Sequence, residues 1–210
     1  MPEIPINIMV LVSGGGTNLQ ALLDAEEDGV FGNNVKISAV FSDRNDAYAM
    51  ERAKAAEIPV FLGIPNRRLP KPERRRELSD RILFLCRELE ISLVVYAGFL
   101  SILVGDIIDE YSGRMINIHP SLLPKFGGQG MYGEHVHRAV LTAGETESGC
   151  TVHLVDAGTD TGPILLQRKV PVLSDDNPAS LAMRVLAEEH IAIVDGVKLM
   201  IRQLIKLNYR

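Results

Sequence analysis

Cysteine, basic excess and long apolar runs are all scarce in this sequence, and each scarcity removes a class of protein. Only 2 cysteines occur in 210 residues. Cys86 (ILFLCREL) and Cys150 (SGCTVHLV) both sit in apolar runs, which suits buried free thiols. Their spacing suggests neither a metal cluster nor a disulfide framework. Lys and Arg number 22 against 27 Asp and Glu, a formal net charge of −5 with pI near 5.6. That balance argues against a dedicated nucleic-acid or anionic-membrane binder, which carries a basic face. A small anionic ligand could still find a local positive site. No apolar run approaches the ~20 residues that a membrane-spanning helix needs. The opening MPEIPINIMVLVSGGG has neither a basic n-region nor a small-residue cleavage site, so a cytoplasmic location is expected.

What is present is the alternation of an α/β protein. Apolar residues make up 46% and charged residues 23%, the ordinary mix of a soluble globular domain. A chain of this length buries roughly 70% of its unfolded surface, so one domain over residues 1–210 is expected without staples. Strands are expected at Ile6–Val12, Val35–Phe41, Val60–Leu62, Leu93–Tyr96 and Met115–Ile118. Helical spacing occupies Asn18–Glu27, Ala47–Ala56, Glu73–Glu90 and Ile102–Tyr111. This order predicts an open, mostly parallel sheet with helices on both faces. Gly149–Val155 and Ile164–Val172 look like an antiparallel pair near the C-terminus. A long helix should follow from about Pro178 to Leu207, capped by Asn177 or Ser174.

The first strand runs directly into Ser13-Gly14-Gly15-Gly16-Thr17-Asn18. Glycines there let the backbone turn tightly and present N–H groups at a helix N-terminus, a phosphate site that needs no lysine. A side chain at Gly16 is expected to block that backbone approach. The loop lacks the GK[ST] of a Walker A motif. It is also no clean GxGxxG, since the third position falls at Leu19. A nucleotide monophosphate or sugar phosphate therefore fits better than a dinucleotide, with a plain strand–helix turn as the bland alternative.

The densest chemistry lies in Asn117-Ile118-His119-Pro120-Ser121-Leu122-Leu123-Pro124. If Ile118 points into the core, Asn117 and His119 share the other face at the end of a strand. Taken alone, both could be turn-capping residues. The loop Asp156-Ala157-Gly158-Thr159-Asp160-Thr161-Gly162-Pro163 supplies two aspartates that could equally be solvated turn residues. A carboxylate against His119 could orient the imidazole and stabilise its protonated form. Asn117 could then donate to an oxyanion. No nucleophile elbow accompanies them, so direct attack by a substrate amine is the simpler chemistry.

SGGGTNLQAL, AVFSDRNDAYAMERA, VVYAGFLSIL, INIHPSLLP, GMYGEHVH and DTGPILLQRKVPV together resemble the glycinamide ribonucleotide formyltransferases, in order and over almost the whole chain. The resemblance implies a formyltransferase fold with a Rossmann-like N-terminal half. It implies 10-formyltetrahydrofolate as co-substrate and 5′-phosphoribosylglycinamide as acceptor, in purine biosynthesis, with no tightly bound cofactor and no metal. The partners implied are these small molecules, without nucleic acid or membrane, for a monomer or homodimer. The half at about 1–110 would bind the ribonucleotide phosphate and the half at about 111–210 would hold catalysis and folate.

By the same resemblance Asn117, His119 and Asp160 are the catalytic residues. Gly15, Gly16, Thr17 and Asn18 grip the substrate phosphate, and Glu189 the ribose; without the resemblance Glu189 would be an ordinary solvated helix charge. Arg76, Leu100, Ser101, Ile102, Leu103, Ile108, Val155 and Asp156 line the folate site, although Arg76 by itself reads as an exposed helix arginine. His153 would stand behind the reacting groups, with a satisfied strand histidine as the alternative; His135 and His137, at a helix start after GMYG, read mainly as structural, with His137 near substrate as the other reading. Two departures stand out. Ser101 occupies a position where a larger residue, often arginine, is usual. Gly127-Gly128 replaces Phe-Pro-Gly, which predicts a looser loop after HPSLLP.

Methionyl-tRNA formyltransferases share the catalytic residues but would add a C-terminal RNA-binding domain and a basic surface. Formyltetrahydrofolate deformylases would add an N-terminal regulatory domain, whereas the first strand here is expected at residue 6. A non-catalytic nucleotide-binding module predicts loss of Asn117, His119 or Asp160, and all three are present. A dinucleotide oxidoreductase would use Asp43, but Asp43-Arg44-Asn45 better suits a helix-start turn.

Overall fold

Strand β1 (Ile6–Val12) is buried at every position except the half-buried Asn7. Continuous burial marks a strand covered on both faces, where a half-solvated strand would alternate. Two strands pair with β1 in parallel, β2 (Val35–Ser42) and β4 (Ile91–Tyr96), and β3 (Val60–Leu62) extends β2 in the same sense. Helices α1 (Thr17–Glu27), α2 (Ala49–Ala55), α3 (Lys71–Glu88) and α4 (Asp106–Glu110) connect them. After β5 (Met115–His119) come α5 (Glu134–Thr142), β6 (Glu147–Leu154), β7 (Ile164–Pro171) and α6 (Pro178–Asn208). β6 is antiparallel to both β5 and β7. The strand order β3-β2-β1-β4-β5-β6-β7 realises the expected open α/β sheet with its antiparallel strand near the C-terminal end. This is a computed structural model, and it describes residues 5–208.

The chain falls into two compact units. One comprises the residues up to Met115 together with the segment from Val197; the other is Ile116–Gly196. In the first, α3 buries Leu78, Ser79, Ile82, Leu83 and Cys86. Helical spacing alone puts Leu78, Ile82, Leu83, Leu85 and Cys86 on one stripe, and the structure buries Ser79 in place of Leu85. The Ser79 hydroxyl is satisfied by donating to the Arg75 carbonyl at 2.7 Å, so a small polar side chain is tolerated inside. The helix expected over Ile102–Tyr111 shrinks to α4. Its upstream amides are committed elsewhere, Leu100 N–H to the Ser13 hydroxyl at 2.8 Å and Val104 N–H to the Ser79 hydroxyl at 2.8 Å.

In the second unit β7 lies at the sheet edge and is mostly exposed or half-buried, in contrast to β6. Asn177 caps α6: its side-chain oxygen accepts the N–H groups of Ala179 and Ser180 at 3.0 and 3.1 Å. Among the described residues no helix is long and apolar enough to cross a membrane.

Candidate active site

In the first unit the Gly-rich loop leaves the carboxyl end of β1, where open parallel sheets bind ligands. Gly16 caps α1 at φ 73°, a conformation L side chains rarely adopt. All three glycine carbonyls are occupied. Gly14 accepts Ala49 N–H at 3.0 Å, Gly15 accepts the Arg52 Nε at 2.9 Å, and Gly16 accepts Gln20 N–H at 2.9 Å. With the carbonyls committed to protein donors, the N–H groups are the loop's open side, and those in the first turn of α1 have no helical acceptor. The geometry fits an anion, and it corrects one expectation. A Cβ on Gly16 would fall 2.5 Å from the Ala49 Cβ, whereas Gly14 and Gly15 have open space around theirs. Gly16 is required first for packing on α2.

The second unit gathers the other cluster. Thr151 stands opposite His119 across the β5–β6 ladder, and His153 opposite Asn117. Asp160 reaches the same face from the β6–β7 loop. One carboxylate oxygen lies 3.5 Å from His119 Nδ1 and accepts Gly128 N–H at 2.9 Å. The other lies 3.5 Å from Asn117 Nδ2 and 3.6 Å from His153 Nε2. Asp160, with φ 58°, and Phe126, with φ 56°, are both non-glycine residues in the left-handed region. Such conformations cost of order 1–3 kcal/mol and gather at functional sites.

Hydrogen-bond logic fixes both tautomers, because a carbonyl can only accept. His119 Nε2 lies 2.9 Å from the Phe126 carbonyl, so Nε2 carries the proton and neutral His119 turns a bare Nδ1 toward Asp160. His153 Nδ1 donates to the Leu154 carbonyl at 2.8 Å, so its Nε2 accepts from Asn117 Nδ2 at 3.1 Å. That bond points the Asn117 amide, not its carbonyl, toward the carboxylate, and Nδ2 also donates to Asp160 at 3.5 Å. The loop after HPSLLP is hydrogen-bonded through Phe126 and Gly128 as above, and through Ser121, whose buried hydroxyl donates to the Lys125 carbonyl at 2.7 Å. Gly127 makes the close passage possible: a Cβ there would meet Leu123 at 2.5 Å and Asp160 at 3.3 Å.

Electrostatics follow from burial. His119 is 4% exposed, and burial pushes its pKa below the usual 6.5 despite the opposing Asp160 carboxylate and Phe126 carbonyl. Burial therefore disfavours the protonated imidazole, and the Asp160 carboxylate favours it. Burial would raise Asp160, but the His153 contact, the His119 charge and Gly128 N–H hold it below the ordinary carboxylate value. His137 on α5 is buried with Nδ1 unpartnered, and burial followed by the His119 charge lowers its pKa.

The remaining expected residues fall in several settings. Leu103 is buried, Ile102, Ile108 and Val155 are half-buried, and Leu100 is exposed. Ser101 donates to the buried Asp43 carboxylate at 2.6 Å, so Asp43, at the start of the turn that leads into α2, also closes a polar pair. Arg76 is half-exposed and spans two carboxylates, Asp80 at 3.2 Å and Asp106 at 3.4 Å. Asp156 accepts Gly158 N–H at 3.0 Å and the Thr161 hydroxyl at 2.7 Å, shaping the loop that presents Asp160. Glu189 is 9% exposed, which overturns the solvated reading of its helix position. Arg52, Ser121 and the Phe126 carbonyl escaped sequence reasoning. Arg52 stands in an ordinary amphipathic helix, and a backbone carbonyl leaves no trace in residue types. Among the described residues no group of His, Cys, Asp and Glu could hold a metal ion.

Fold and cluster together define a group-transfer protein of the formyl transferase family: that family's model matches residues 6–197, and the chain belongs to it. The chain is 40% identical over 187 residues to the phosphoribosylglycinamide formyltransferase of Escherichia coli strain K12, covering 88% of this chain and 82% of that protein. It is 42% identical over 198 residues to the trifunctional purine biosynthetic protein adenosine-3 of Drosophila pseudoobscura pseudoobscura, with 92% of this chain covered but only 14% of that protein's length. Among solved structures, the phosphoribosylglycinamide formyltransferase of Anaplasma phagocytophilum superposes with a TM-score of 0.81 at 36% identity, over 95% of this chain and 88% of that one.

Proposed function

We propose that this protein transfers the formyl group of 10-formyltetrahydrofolate to the amine of 5′-phosphoribosylglycinamide, giving formylglycinamide ribonucleotide and tetrahydrofolate in purine biosynthesis. The observation that carries the reading is the buried His119 imidazole with its Nδ1 3.5 Å from the Asp160 carboxylate, which also accepts from the Asn117 amide.

The acceptor amine attacks the formyl carbon through its lone pair, and the carbonyl electrons move onto oxygen. The Asn117 Nδ2 hydrogen that makes the long 3.5 Å bond to Asp160 turns to that oxyanion, a positioned donor for the charge that develops. The new ammonium gives a proton to His119 Nδ1, and the imidazolium so formed is stabilised by Asp160. His119 then returns that proton to N10 of the folate as the C–N10 bond breaks, so charge and protons balance over the cycle. His153 orients the Asn117 amide, and His137 lies behind His119. Gly15, Gly16, Thr17 and Asn18 take the substrate phosphate through backbone N–H groups, and Glu189 takes a ribose hydroxyl. Arg76, Leu100, Ser101, Ile102, Leu103, Ile108, Val155 and Asp156 are assigned to folate, which enters and leaves as a co-substrate. A cytoplasmic monomer or homodimer accords with this reading.

The test is an absorbance assay of folate turnover with 10-formyltetrahydrofolate, run with and without the ribonucleotide. Turnover that requires the ribonucleotide is expected. Formate release without any acceptor would replace this reading by a deformylase. No turnover by folded protein in either case would refute it.

A further inference from the structure

The phosphate reading leaves the loop with backbone N–H groups alone to meet a dianion, in a chain whose net charge is −5. One cation does sit against it. Arg52, on α2, donates from Nε to the Gly15 carbonyl at 2.9 Å and from Nη1 to the Gln20 side-chain oxygen at 2.9 Å. Its guanidinium lies over the Tyr48 ring, 5.1 Å from the centroid. Gln20 is held in turn, donating to Asp24 at 2.8 Å. Among the described residues no group accepts from Nη2, so the fork is fixed on two sides and retains free donors.

We infer that Arg52 is the positioning residue of the anion site, holding the Gly15 peptide and supplying the positive charge that makes the loop select a phosphorylated acceptor. This inference rests on the phosphate role proposed for residues 15–18. A carbonyl pulled toward α2 turns its peptide plane, and the N–H groups that follow are then presented on the opposite side as one concave set. The same contact places a permanent cation one peptide away from the bound dianion. A half-exposed charge at several ångströms still favours a dianion appreciably at an effective dielectric of ~20. Three features agree that the position is built. Ala49 N–H donates to the Gly14 carbonyl at 3.0 Å, the Gly16 Cα packs directly on Ala49, and Tyr48 covers the guanidinium. Helix α2 thus docks on the loop through three consecutive glycines, with Arg52 as its charged contact.

The experiment compares wild type, Arg52→Met and Arg52→Lys with two acceptors: glycinamide ribonucleotide, and the same molecule without its 5′-phosphate. Wild type should show a far lower KM for the phosphorylated acceptor; equal KM values would sink the phosphate site and this inference together. With that preference in place, Arg52→Met should raise the ribonucleotide KM about 10- to 100-fold, the order expected when one charge-assisted hydrogen bond and its charge are lost, and leave kcat within about threefold. Its constants for the dephosphorylated acceptor should match those of wild type. Arg52→Lys should recover much of the loss, since the charge returns without the fork. Equal losses on both acceptors, or a fall in kcat with KM unchanged, would refute the role of Arg52 while leaving the site standing. Thermal unfolding of each variant shows whether a uniform loss comes from misfolding, in which case Arg52→Lys alone decides.

Discussion

Replacing Asp160 by asparagine removes one negative charge and keeps the shape, and the structure says how much that should cost. The carboxylate lies 3.5 Å from His119 Nδ1, and both side chains are almost wholly buried. At an effective dielectric of ~20, two unit charges about 4 Å apart interact by about 4 kcal/mol. An amide oxygen would still accept a hydrogen bond from the imidazolium, worth about 1 kcal/mol, so roughly 3 kcal/mol of stabilisation disappears from the charged intermediate. Each 1.36 kcal/mol is about tenfold in rate, so kcat should fall on the order of 100-fold. The Gly128 N–H keeps an acceptor in the variant, so the loop should stay closed and the melting temperature should move little. The pH profile gives the sharper readout. Asp160 is the leading influence raising the His119 pKa against burial. Its neutralisation should therefore move the acid limb of kcat against pH to lower pH. If Asp160 were itself the titrating base, that limb would vanish instead. A kcat within threefold of wild type, or an unmoved acid limb, would refute the ion-pair argument.

His119→Ala should lower kcat by a factor on the order of 100 or more, the usual worth of a positioned proton carrier; steady-state kinetics on folded variant protein would check it. Gly16→Val should appear as lost stability, because its side chain meets Ala49 and its φ is left-handed. Gly15→Ala should fold normally, and calorimetric melts of the two variants would separate packing from anion binding. Burial depresses both His119 and His137 below 6.5 in the folded protein, so their neutral forms support folding fully above pH 6.5. That support should drain away as pH falls from about 6.5 through the folded-state values, and His137→Gln should flatten melting temperature against pH in this window.

The fold was largely legible because β1 and β4 carry the apolar runs Ile8–Val12 and Leu93–Tyr96 while α3 repeats its buried positions every three or four residues. The limits of α4 were not. They depend on which amides reach Ser13 and Ser79 far along the chain, and local periodicity holds no record of that. Asn117 and His119 could be placed on one face by alternation alone. Asp160 needed the β6–β7 loop to return to β5, a long-range event that only the motif order hinted at. The desolvation of His119 was hidden for the same reason, since it is set by the packing of an entire unit. Glu189 reads as a surface charge in its helix and is buried by tertiary context.

The groups proposed for formyl chemistry all belong to the Ile116–Gly196 unit, and the loop proposed to hold the acceptor's phosphate belongs to the other. On this proposal phosphate anchoring and reaction are written in separate stretches of sequence, with only the ribose contact of Glu189 shared with the reacting unit. A descendant could change which amine it accepts by altering the loop and Arg52, with the imidazole, carboxylate and amide left as they are. Conversely, the transfer machinery could be tuned in rate without relearning how to grip an acceptor. Chimeras that exchange only the first stretch are the natural starting point for redirecting the formyl group.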